Sequence, residues 1–345
     1  MNALVYHGPG QRSWEQKPAP TLQLPTDAIV RVTRTTICGT DLHILKGDVP
    51  EVPAGLTLGH EGVGVITAAG AGVSRFKVGD RVQISCITSC GKCDACRRGM
   101  YSHCADGGWV LGHLIDGTQA EFVRIPHADT SLHAIPADCD DEEPLVMLSD
   151  ILPTGFECGV LNGEIKPGDT VAIVGAGPIG LSTLLTAQFY SPAMIVMIDP
   201  DPNRLEVALT FGATHGFSPT EAAAKIRELT GGRGVDVAIE AVGVPPTFEL
   251  CQELVAAGGH IANIGVHGRS VTLHLEKLWA HNVTIRTRLV DTVTTPLLLK
   301  TVHSGKLQPR RLITHRFPLR EIMKAYDVFS HAAQEKALKV ILTNP

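Results

Sequence analysis

The pattern of apolar and polar positions changes near Asp150. Before it, short β-branched stretches are interrupted by glycine and proline, which predicts strands at residues 28–35 and 62–68. Residues 78–82 have the character of a turn that leads into a further strand at 82–85. Many short strands in series favour a partly open barrel or sandwich over a parallel sheet.

From Thr170 onward, apolar strands alternate with amphipathic helices. The predicted strands cover 171–174, 194–198, 235–240 and 260–264, and the predicted helices cover 178–190, 203–211, 220–229 and 247–256. This alternation predicts a doubly wound parallel sheet. After Leu289 we expect helices at 296–303 and 319–330 and strands at 313–317 and 337–342. The expected organisation is therefore a nucleotide-binding domain, residues 154–289, inserted into a catalytic domain made of 1–153 plus 290–345.

Composition narrows the class of protein. Hydrophobic residues make up 44 % and charged residues 19 % of the 345 positions, as in globular proteins. The formal net charge of −5 gives no broad electrostatic reason to bind nucleic acid or an anionic membrane. The first residues lack a cationic start followed by an apolar run, and no stretch has the apolar length of a membrane span. We therefore expect a cytoplasmic protein with no nucleic-acid or membrane partner.

A glycine-rich turn follows the predicted strand 171–174 and opens the next helix. Glycine lets a backbone approach a pyrophosphate closely, and the helix N-terminus favours its negative charge. The strand before the turn and the helix after it strengthen a motif that is weak alone. The candidate dinucleotide-binding residues in this turn are Gly175, Gly177, Pro178, Ile179 and Gly180.

Asp199 ends the strand that follows this helix. A carboxylate there can accept hydrogen bonds from both ribose hydroxyls and would repel a 2′-phosphate, so NAD is favoured over NADP. The alternative is a plain strand-to-helix turn in which Asp199 caps a loop. Arg204 leaves two interpretations open, because it could serve a 2′-phosphate or stack on the adenine.

Nine cysteines could form disulfides, but the odd count and the absent export signal argue against it. Cys90, Cys93, Cys96 and Cys104 have the spacing C-x2-C-x2-C-x7-C. Four thiolates this close can surround a tetrahedral ion, for which zinc is the default and an iron–sulfur cluster the alternative. Four sulfurs leave no open coordination position, so this ion would be structural.

Two further segments carry metal-ligand residue types. Cys38 begins a C-G-T-D-x-H segment, and His60 and Glu61 lie in a G-H-E-G-x-G segment. A thiolate, an imidazole and a carboxylate that leave one position open are typical of catalytic zinc. Spacing alone does not show that these residues meet. Taken singly, His60 is a hydrogen-bonded histidine and Cys38 a small buried residue.

These segments, the four cysteines and the glycine turn occur in an order that resembles the zinc-containing medium-chain alcohol dehydrogenases, over nearly the whole chain. The resemblance implies a GroES-like, mainly-β catalytic domain with an inserted Rossmann sheet. It also implies that Cys38 and His60 are catalytic zinc ligands and that Glu61 lies beside the metal. The segment D-I-L-P-T-G-F is similar to bacterial secondary-alcohol and glutathione-independent formaldehyde dehydrogenases, which makes Asp150 the expected third ligand. The alternative for Asp150 is a helix N-cap.

The same resemblance assigns roles around the metal. Thr40 and His43 would relay the alcohol proton to solvent, although they could simply be a loop cap and a surface imidazole. Trp109 and Leu289 would line the substrate pocket, and Ile264 and Val266 would border the nicotinamide.

The predicted function is reversible hydride transfer between a small secondary alcohol and NAD, with two zinc ions in each chain of a homodimer or homotetramer. Two enzyme alternatives stay open: a formaldehyde dehydrogenase or dismutase that keeps NAD bound, and a polyol or threonine dehydrogenase. A non-catalytic protein of the same fold would be expected to have lost Cys38 or His60, and both are present.

Overall fold

The computed structural model describes residues 1–344 and divides into two compact units. Unit 1 consists of Met1–Asp150 and the segment from Asp291 onward, and unit 2 is Ile151–Val290. The boundaries expected from the sequence fell after residue 153 and before residue 290. None of the helices within 1–344 combines the length and the apolarity that a membrane crossing requires.

The strands are short in unit 1 and form a regular series in unit 2. In chain order they are β1 (Asn2–Gly8), β2 (Gln11–Gln16), β3 (Ala28–Thr36), β4 (Leu56–Thr57), β5 (Gly62–Ala69), β6 (Arg81–Ile84), β7 (Phe122–Ile125), β8 (Leu132–Ala134), β9 (Thr170–Val174), β10 (Met194–Ile198), β11 (His215–Phe217), β12 (Val235–Glu240), β13 (Val255–Asn263), β14 (Thr284–Thr287), β15 (Ile313–Pro318) and β16 (Lys339–Thr343).

The longer helices lie mostly in unit 2. In chain order the helices are α1 (Gly39–Lys46), α2 (Asp94–Arg97), α3 (Ala128–Ser131), α4 (Ile151–Thr154), α5 (Pro178–Ala187), α6 (Pro202–Thr210), α7 (Pro219–Leu229), α8 (Pro245–Leu254), α9 (Leu275–Leu278), α10 (Thr295–His303), α11 (Ile322–Ser330) and α12 (Ala332–Glu335). A π-helical segment, Gly155–Leu161, follows α4 directly.

Unit 1 is built on a seven-stranded sheet of order β15-β16-β3-β5-β6-β8, with β7 also paired to β3, and on a three-stranded sheet of order β2-β1-β4. Apart from the parallel β15–β16 pair, all of these pairings are antiparallel. One apolar core lies between β3, β5 and β6, around Val30, Ile66 and Ile84. A second core joins β1, α1 and α11 to β16. The mainly-β character expected from the sequence is confirmed.

Unit 2 contains a six-stranded, wholly parallel sheet of order β11-β10-β9-β12-β13-β14. Its central strand β9 is buried along its whole length, as expected when helices cover both faces of a parallel sheet. The strand order reverses between β9 and β12, and ligands of such sheets bind at the carboxyl ends of the strands at this point. The predicted doubly wound fold is confirmed.

The predicted helix 247–256 is wrong at its C-terminal end. The helix ends at Leu254, and Val255 has an extended backbone (φ −67°, ψ 134°). Val255 pairs with Val235 of β12, so β-branched pairing in the sheet prevails over continuation of the helix. The predicted helices 178–190 and 319–330 are also shorter than expected, because each has one 3₁₀ turn at one end, Gln188–Tyr190 and Leu319–Glu321.

Candidate metal centres and dinucleotide loop

A mixed cluster of ligand atoms brings together Cys38, His60, Glu61 and Asp150 in unit 1. Their sulfur, nitrogen and carboxylate oxygen atoms all lie within 4.8 Å of one another. Cys38 precedes α1, His60 and Glu61 precede β5, and Asp150 precedes α4. Three remote parts of the chain therefore supply the four side chains that the sequence singled out.

Asp150 lies close to both Cys38 and His60. Its Oδ2 atom lies 3.7 Å from Cys38 Sγ and 3.4 Å from His60 Nε2. Burial alone would lower the pKa of His60, but hydrogen bonds with Asp150 and Cys38 reverse this and hold that pKa well above its usual value. The cluster is thus an acidic environment that favours a positive charge at its centre.

The backbone turn at Gly59 presents His60 and Glu61 to the cluster. Gly59 has a φ of 94°, and a Cβ atom on it would lie 2.6 Å from Cγ of Gln119 and 2.9 Å from its backbone nitrogen. Both the left-handed conformation and the close approach require glycine. This explains the glycine before the histidine in the G-H-E-G-x-G segment.

A buried hydrogen-bond network behind Cys38 was not found from the sequence. The backbone N–H of Cys38 donates to Asp41 Oδ2 (2.9 Å), and Gln119 Nε2 donates to the same oxygen (2.9 Å). The Tyr326 hydroxyl in turn donates to Gln119 Oε1 (2.8 Å). Asp41 was visible inside the C-G-T-D-x-H segment, but no signal along the chain connects it to Gln119 or Tyr326.

Lys339 is a second residue that the sequence analysis missed. Its Nζ atom lies 2.7 Å from Glu61 Oε1, and both residues are only 1 % exposed. Burial would lower the pKa of Lys339, but the Glu61 carboxylate outweighs this and raises it, so the lysine stays charged. A lysine inside the apolar predicted strand 337–342 was the available signal, because a buried lysine requires a partner.

The remaining residues predicted around the metal in unit 1 are Thr40 and His43, which belong to α1, and Trp109, which follows the four-cysteine segment. Thr40 Oγ1 is 3.6 Å from Cys38 Sγ. His43 is half exposed, and its Nδ1 lies 2.8 Å from Asp48 Oδ2. The ring of Trp109 meets the His60 ring edge-on, with 6.3 Å between the ring centres. All three therefore lie in unit 1, with two of them in contact with the cluster.

The four-cysteine cluster is the second group of ligand atoms. The sulfurs of Cys90, Cys93, Cys96 and Cys104 lie within 4.8 Å of one another. Backbone N–H groups of Cys90 and Asp106 point at Cys104 Sγ, at 3.2 and 3.4 Å. The N–H of Ala105 makes the largest contribution to lowering the pKa of Cys93 to about 6. Such N–H donors stabilise thiolates, which is the state that binds a metal.

The glycine turn of unit 2 leaves space where a phosphate group would fit. Gly175 has a φ of 106°, and a Cβ on Gly180 would lie 1.8 Å from the Gly175 carbonyl oxygen, so both positions require glycine. At Gly177 an added Cβ would meet only Arg204 Nη1, at 3.9 Å. Pro178 and Ile179 then form the first turn of the ten-residue helix α5. The turn thus has the tight packing and the open side that a pyrophosphate site needs.

Asp199 is tied to this turn. Its Oδ2 accepts the backbone N–H of Ala176 (2.8 Å), and its Oδ1 accepts that of Asp201 (2.9 Å). Arg204 Nη1 lies 4.0 Å from Asp199 Oδ2, at the limit of an ion pair. Each carboxylate oxygen can accept a further hydrogen bond, so the side chain retains capacity for ribose hydroxyls.

The residues predicted next to the nicotinamide follow β13. The Ile264 N–H donates to the Glu240 carbonyl (2.8 Å), and Val266 is 77 % exposed. The Glu240 carboxylate, which the sequence analysis missed, is fully buried and accepts the N–H groups of Val242 and Gly243. It thereby fixes the loop after β12. Leu289, the predicted pocket residue of unit 2, is 45 % exposed.

Two family models match the chain. Residues 24–137 match the alcohol dehydrogenase GroES-like domain, and residues 178–302 match the zinc-binding dehydrogenase model. Together they cover more than half of the chain. The first match contains Cys38, His60 and the four-cysteine cluster, and the second begins at Pro178 in the glycine turn.

Individual relatives match over the full length. An alcohol dehydrogenase of Cupriavidus necator is 36 % identical, with 99 % of this chain and 98 % of that protein covered. The apo structure of zinc-dependent alcohol dehydrogenase 2 from Streptococcus pneumonia is 55 % identical, with a TM-score of 0.95 and coverage of 100 % and 98 %.

Two further solved structures contain a bound nicotinamide cofactor. An Escherichia coli dehydrogenase complexed with NADH is 26 % identical, with a TM-score of 0.90 and coverage of 100 % and 99 %. A zinc-binding dehydrogenase of Sinorhizobium meliloti bound to NADP is 28 % identical, with a TM-score of 0.87 and coverage of 99 % of both chains.

Proposed function

Since the chain belongs to the zinc-containing medium-chain alcohol dehydrogenase family and is an oxidoreductase, we propose that it transfers a hydride reversibly between a small secondary alcohol and NAD. The observation that carries this proposal is the convergence of Cys38, His60 and Asp150, whose ligand atoms gather within 4.8 Å. A thiolate, an imidazole and a carboxylate form the donor set of a catalytic zinc with one open position.

The donor set fits zinc in a second respect. Glu61 Oε2 is buried and has no hydrogen-bond partner among the residues that the structure describes. An unpaired buried carboxylate oxygen is costly, and a cation within the cluster would satisfy it. Cys38, His60 and Asp150 would hold the ion, with Glu61 as an additional neighbour. Zinc bound there supplies Lewis-acid chemistry that polarises an alcohol or carbonyl oxygen and makes the alcohol proton more acidic.

The chain's own residues then handle the proton. Thr40 lies next to Cys38, and its hydroxyl oxygen would accept the alcohol proton while its own hydroxyl proton passes on toward the nicotinamide ribose and His43. His43 is half exposed, with Nδ1 2.8 Å from Asp48 Oδ2, and is the proposed last member of the relay before solvent. Trp109, edge-on to His60, forms an apolar wall that favours a small alkyl substrate. From the family resemblance, Leu289 is proposed as a substrate-pocket residue, and Ile264 and Val266 are proposed to border the nicotinamide.

NAD is the proposed cofactor because of Asp199. Its carboxylate lies at the end of β10 and is anchored to the glycine turn, where it can accept ribose hydroxyls and repel a 2′-phosphate. Arg204 lies close to Asp199, so the Asp199 carboxylate compensates part of the positive charge of Arg204 that could otherwise attract a 2′-phosphate. The open side of Gly177, at the N-terminus of α5, would take the pyrophosphate.

The four-cysteine cluster is proposed to hold a second, structural zinc. Four sulfurs bind zinc at about 2.3 Å, and the four sulfurs here lie within 4.8 Å of one another, close enough to share one ion. Two zinc ions per chain, a cytoplasmic location and assembly as a homodimer or homotetramer belong to the same proposal.

A metal count combined with a substrate screen tests the function. We expect two zinc ions per chain, and a kcat/KM at least about tenfold higher for NAD than for NADP with secondary alcohols. Higher turnover with NADP would make the role of Asp199 wrong. Preference for polyols, or dismutation of an aldehyde without free cofactor, would replace the secondary alcohol as substrate class.

A further inference from the structure

Cys86 has no role in the proposed reaction, yet it lies against the mixed metal cluster. It follows β6 and is 3 % exposed. Its Sγ atom is 3.8 Å from Asp150 Oδ1, within hydrogen-bond distance for sulfur. A thiol is a weak donor, and a carboxylate is an acceptor that strengthens such a bond.

The two oxygens of Asp150 face different partners. Oδ2 is the atom near Cys38 Sγ (3.7 Å) and His60 Nε2 (3.4 Å). Oδ1 is the atom that Cys86 contacts. The carboxylate is therefore divided between a metal-facing oxygen and an oxygen that lies against the Cys86 thiol.

The backbone around these two residues is fixed by the same segments. The Cys86 N–H donates to the Ser149 carbonyl at 3.0 Å. The Ser149 hydroxyl oxygen accepts the N–H of Gly62 and the side-chain amide of Gln83, both at 3.0 Å. The residue before Asp150 is thus locked to β5 and β6. The Cys86 thiol then contacts the carboxyl group of Asp150 itself, at Oδ1.

We propose that Cys86 is a positioning residue for the catalytic metal site, and that its thiol holds Asp150 Oδ1 so that Oδ2 alone faces the ion. The inference rests on the proposed role of Asp150 as a ligand. Loss of this contact would loosen the orientation in which Oδ2, rather than Oδ1, faces Cys38 and His60. Removing a partner of a metal ligand typically weakens metal binding about 10–100-fold.

Two variants of nearly equal volume test the donor. Cys86→Ser keeps a hydrogen-bond donor and Cys86→Ala removes it, while both leave a similar cavity. We expect Cys86→Ala to weaken binding of the catalytic zinc about tenfold or more, measured by competition with a chelator on the full chain. Cys86→Ser should stay within about threefold of the parent protein. Cys251→Ala, at a fully buried cysteine of α8 in unit 2, is the matched control and should leave zinc affinity unchanged.

The Cys38→Ser variant identifies which ion is being measured, because only the ion of the four-cysteine cluster would remain tightly bound in it. Equal zinc affinities for Cys86→Ser and Cys86→Ala would overturn the inference and leave Cys86 as a packing residue. Loss of zinc in Cys86→Ser as complete as in Cys38→Ser would also overturn it, because the sulfur would then be a ligand itself.

A double-mutant cycle separates this inference from the proposed function. Asp150→Ala should weaken zinc binding by itself, and adding Cys86→Ala should then have little further effect. Unchanged zinc affinity in Asp150→Ala would contradict the ligand role of Asp150. A full additional effect of Cys86→Ala in that background would instead contradict the coupling of Cys86 to Asp150.

Discussion

The two clusters of metal-ligand residues in unit 1 are built in opposite ways. The four-cysteine cluster comes from one short stretch of chain, uses a single donor type and has two partly exposed members, Cys90 and Cys93. The mixed cluster gathers Cys38, His60, Glu61 and Asp150 from three remote segments, and all but Asp150 are buried. A closed set of sulfurs can only hold a structure together, whereas a mixed set can leave a position open for chemistry.

The groups that surround the two clusters also differ, because one set is local in the chain and the other is remote. Backbone N–H groups of the local loop serve Cys104 in the four-cysteine cluster. The mixed cluster instead depends on side chains from elsewhere in unit 1, such as Lys339 against Glu61, and Gln119, which donates to Asp41 behind Cys38. We conclude that changes near the mixed cluster should affect both catalysis and stability, while changes in the four-cysteine cluster should mainly affect stability.

The sharpest test of this difference is Cys38→Ser. Loss of a ligand to the catalytic ion should lower kcat for alcohol oxidation by at least about a thousandfold, equivalent to about 4 kcal/mol of transition-state stabilisation. The metal content should fall from the proposed two zinc ions per chain to one. Steady-state kinetics and elemental analysis on the same sample measure both effects. Cys251→Ser, in the core of unit 2, is the control and should retain both ions and kcat.

The Glu61–Lys339 ion pair provides a second test, this time of stability. Lys339→Met leaves a buried carboxylate without its partner, which should cost about 3 kcal/mol in the free energy of unfolding. Urea unfolding followed by tryptophan fluorescence measures this loss. The matched control is Lys324→Met, which removes a lysine from an exposed pair with Glu321 and should cost less than about 1 kcal/mol. Equal effects of the two variants would show that burial of the pair does not matter.

The two clusters also differ in how well the sequence predicts them, because one comes from a single short segment and the other from three remote segments. The spacing of Cys90, Cys93, Cys96 and Cys104 was sufficient to predict that their sulfurs meet. All four belong to one short segment, so only a local turn of the chain is needed to bring them together. The mixed cluster required the family resemblance, since the sequence around Asp150 contains no signal that this residue lies beside Cys38 in the fold. Lys339 and Tyr326 were out of reach for the same reason: each contacts its partner through sheet pairing or core packing over most of the chain length.

The fold shows the same division between local and remote information. Periodicity predicted the strands and helices of unit 2, including β10 and β12 at their observed bounds. The strands β1 and β2 of unit 1 were missed. The polar, half-exposed residues of β2 give no clear alternation, and the short run of buried residues in β1 shows no period of two. The end of α8 was misplaced because pairing with β12, a tertiary effect, determines where Val255 leaves the helix.

The smallest expected effect concerns the four-cysteine cluster. Cys93→Ser should release one zinc and lower the free energy of unfolding by about 2 kcal/mol, because the loop 90–104 loses its cross-link. The melting temperature should fall by several degrees, while kcat per folded molecule changes far less than in Cys38→Ser. Cys139→Ser, at a partly exposed cysteine outside both clusters, is the matched control and should leave the melting temperature within about one degree. A loss of kcat in Cys93→Ser as large as in Cys38→Ser would erase the distinction between the clusters, since the cysteine loop would then have to shape the mixed cluster directly.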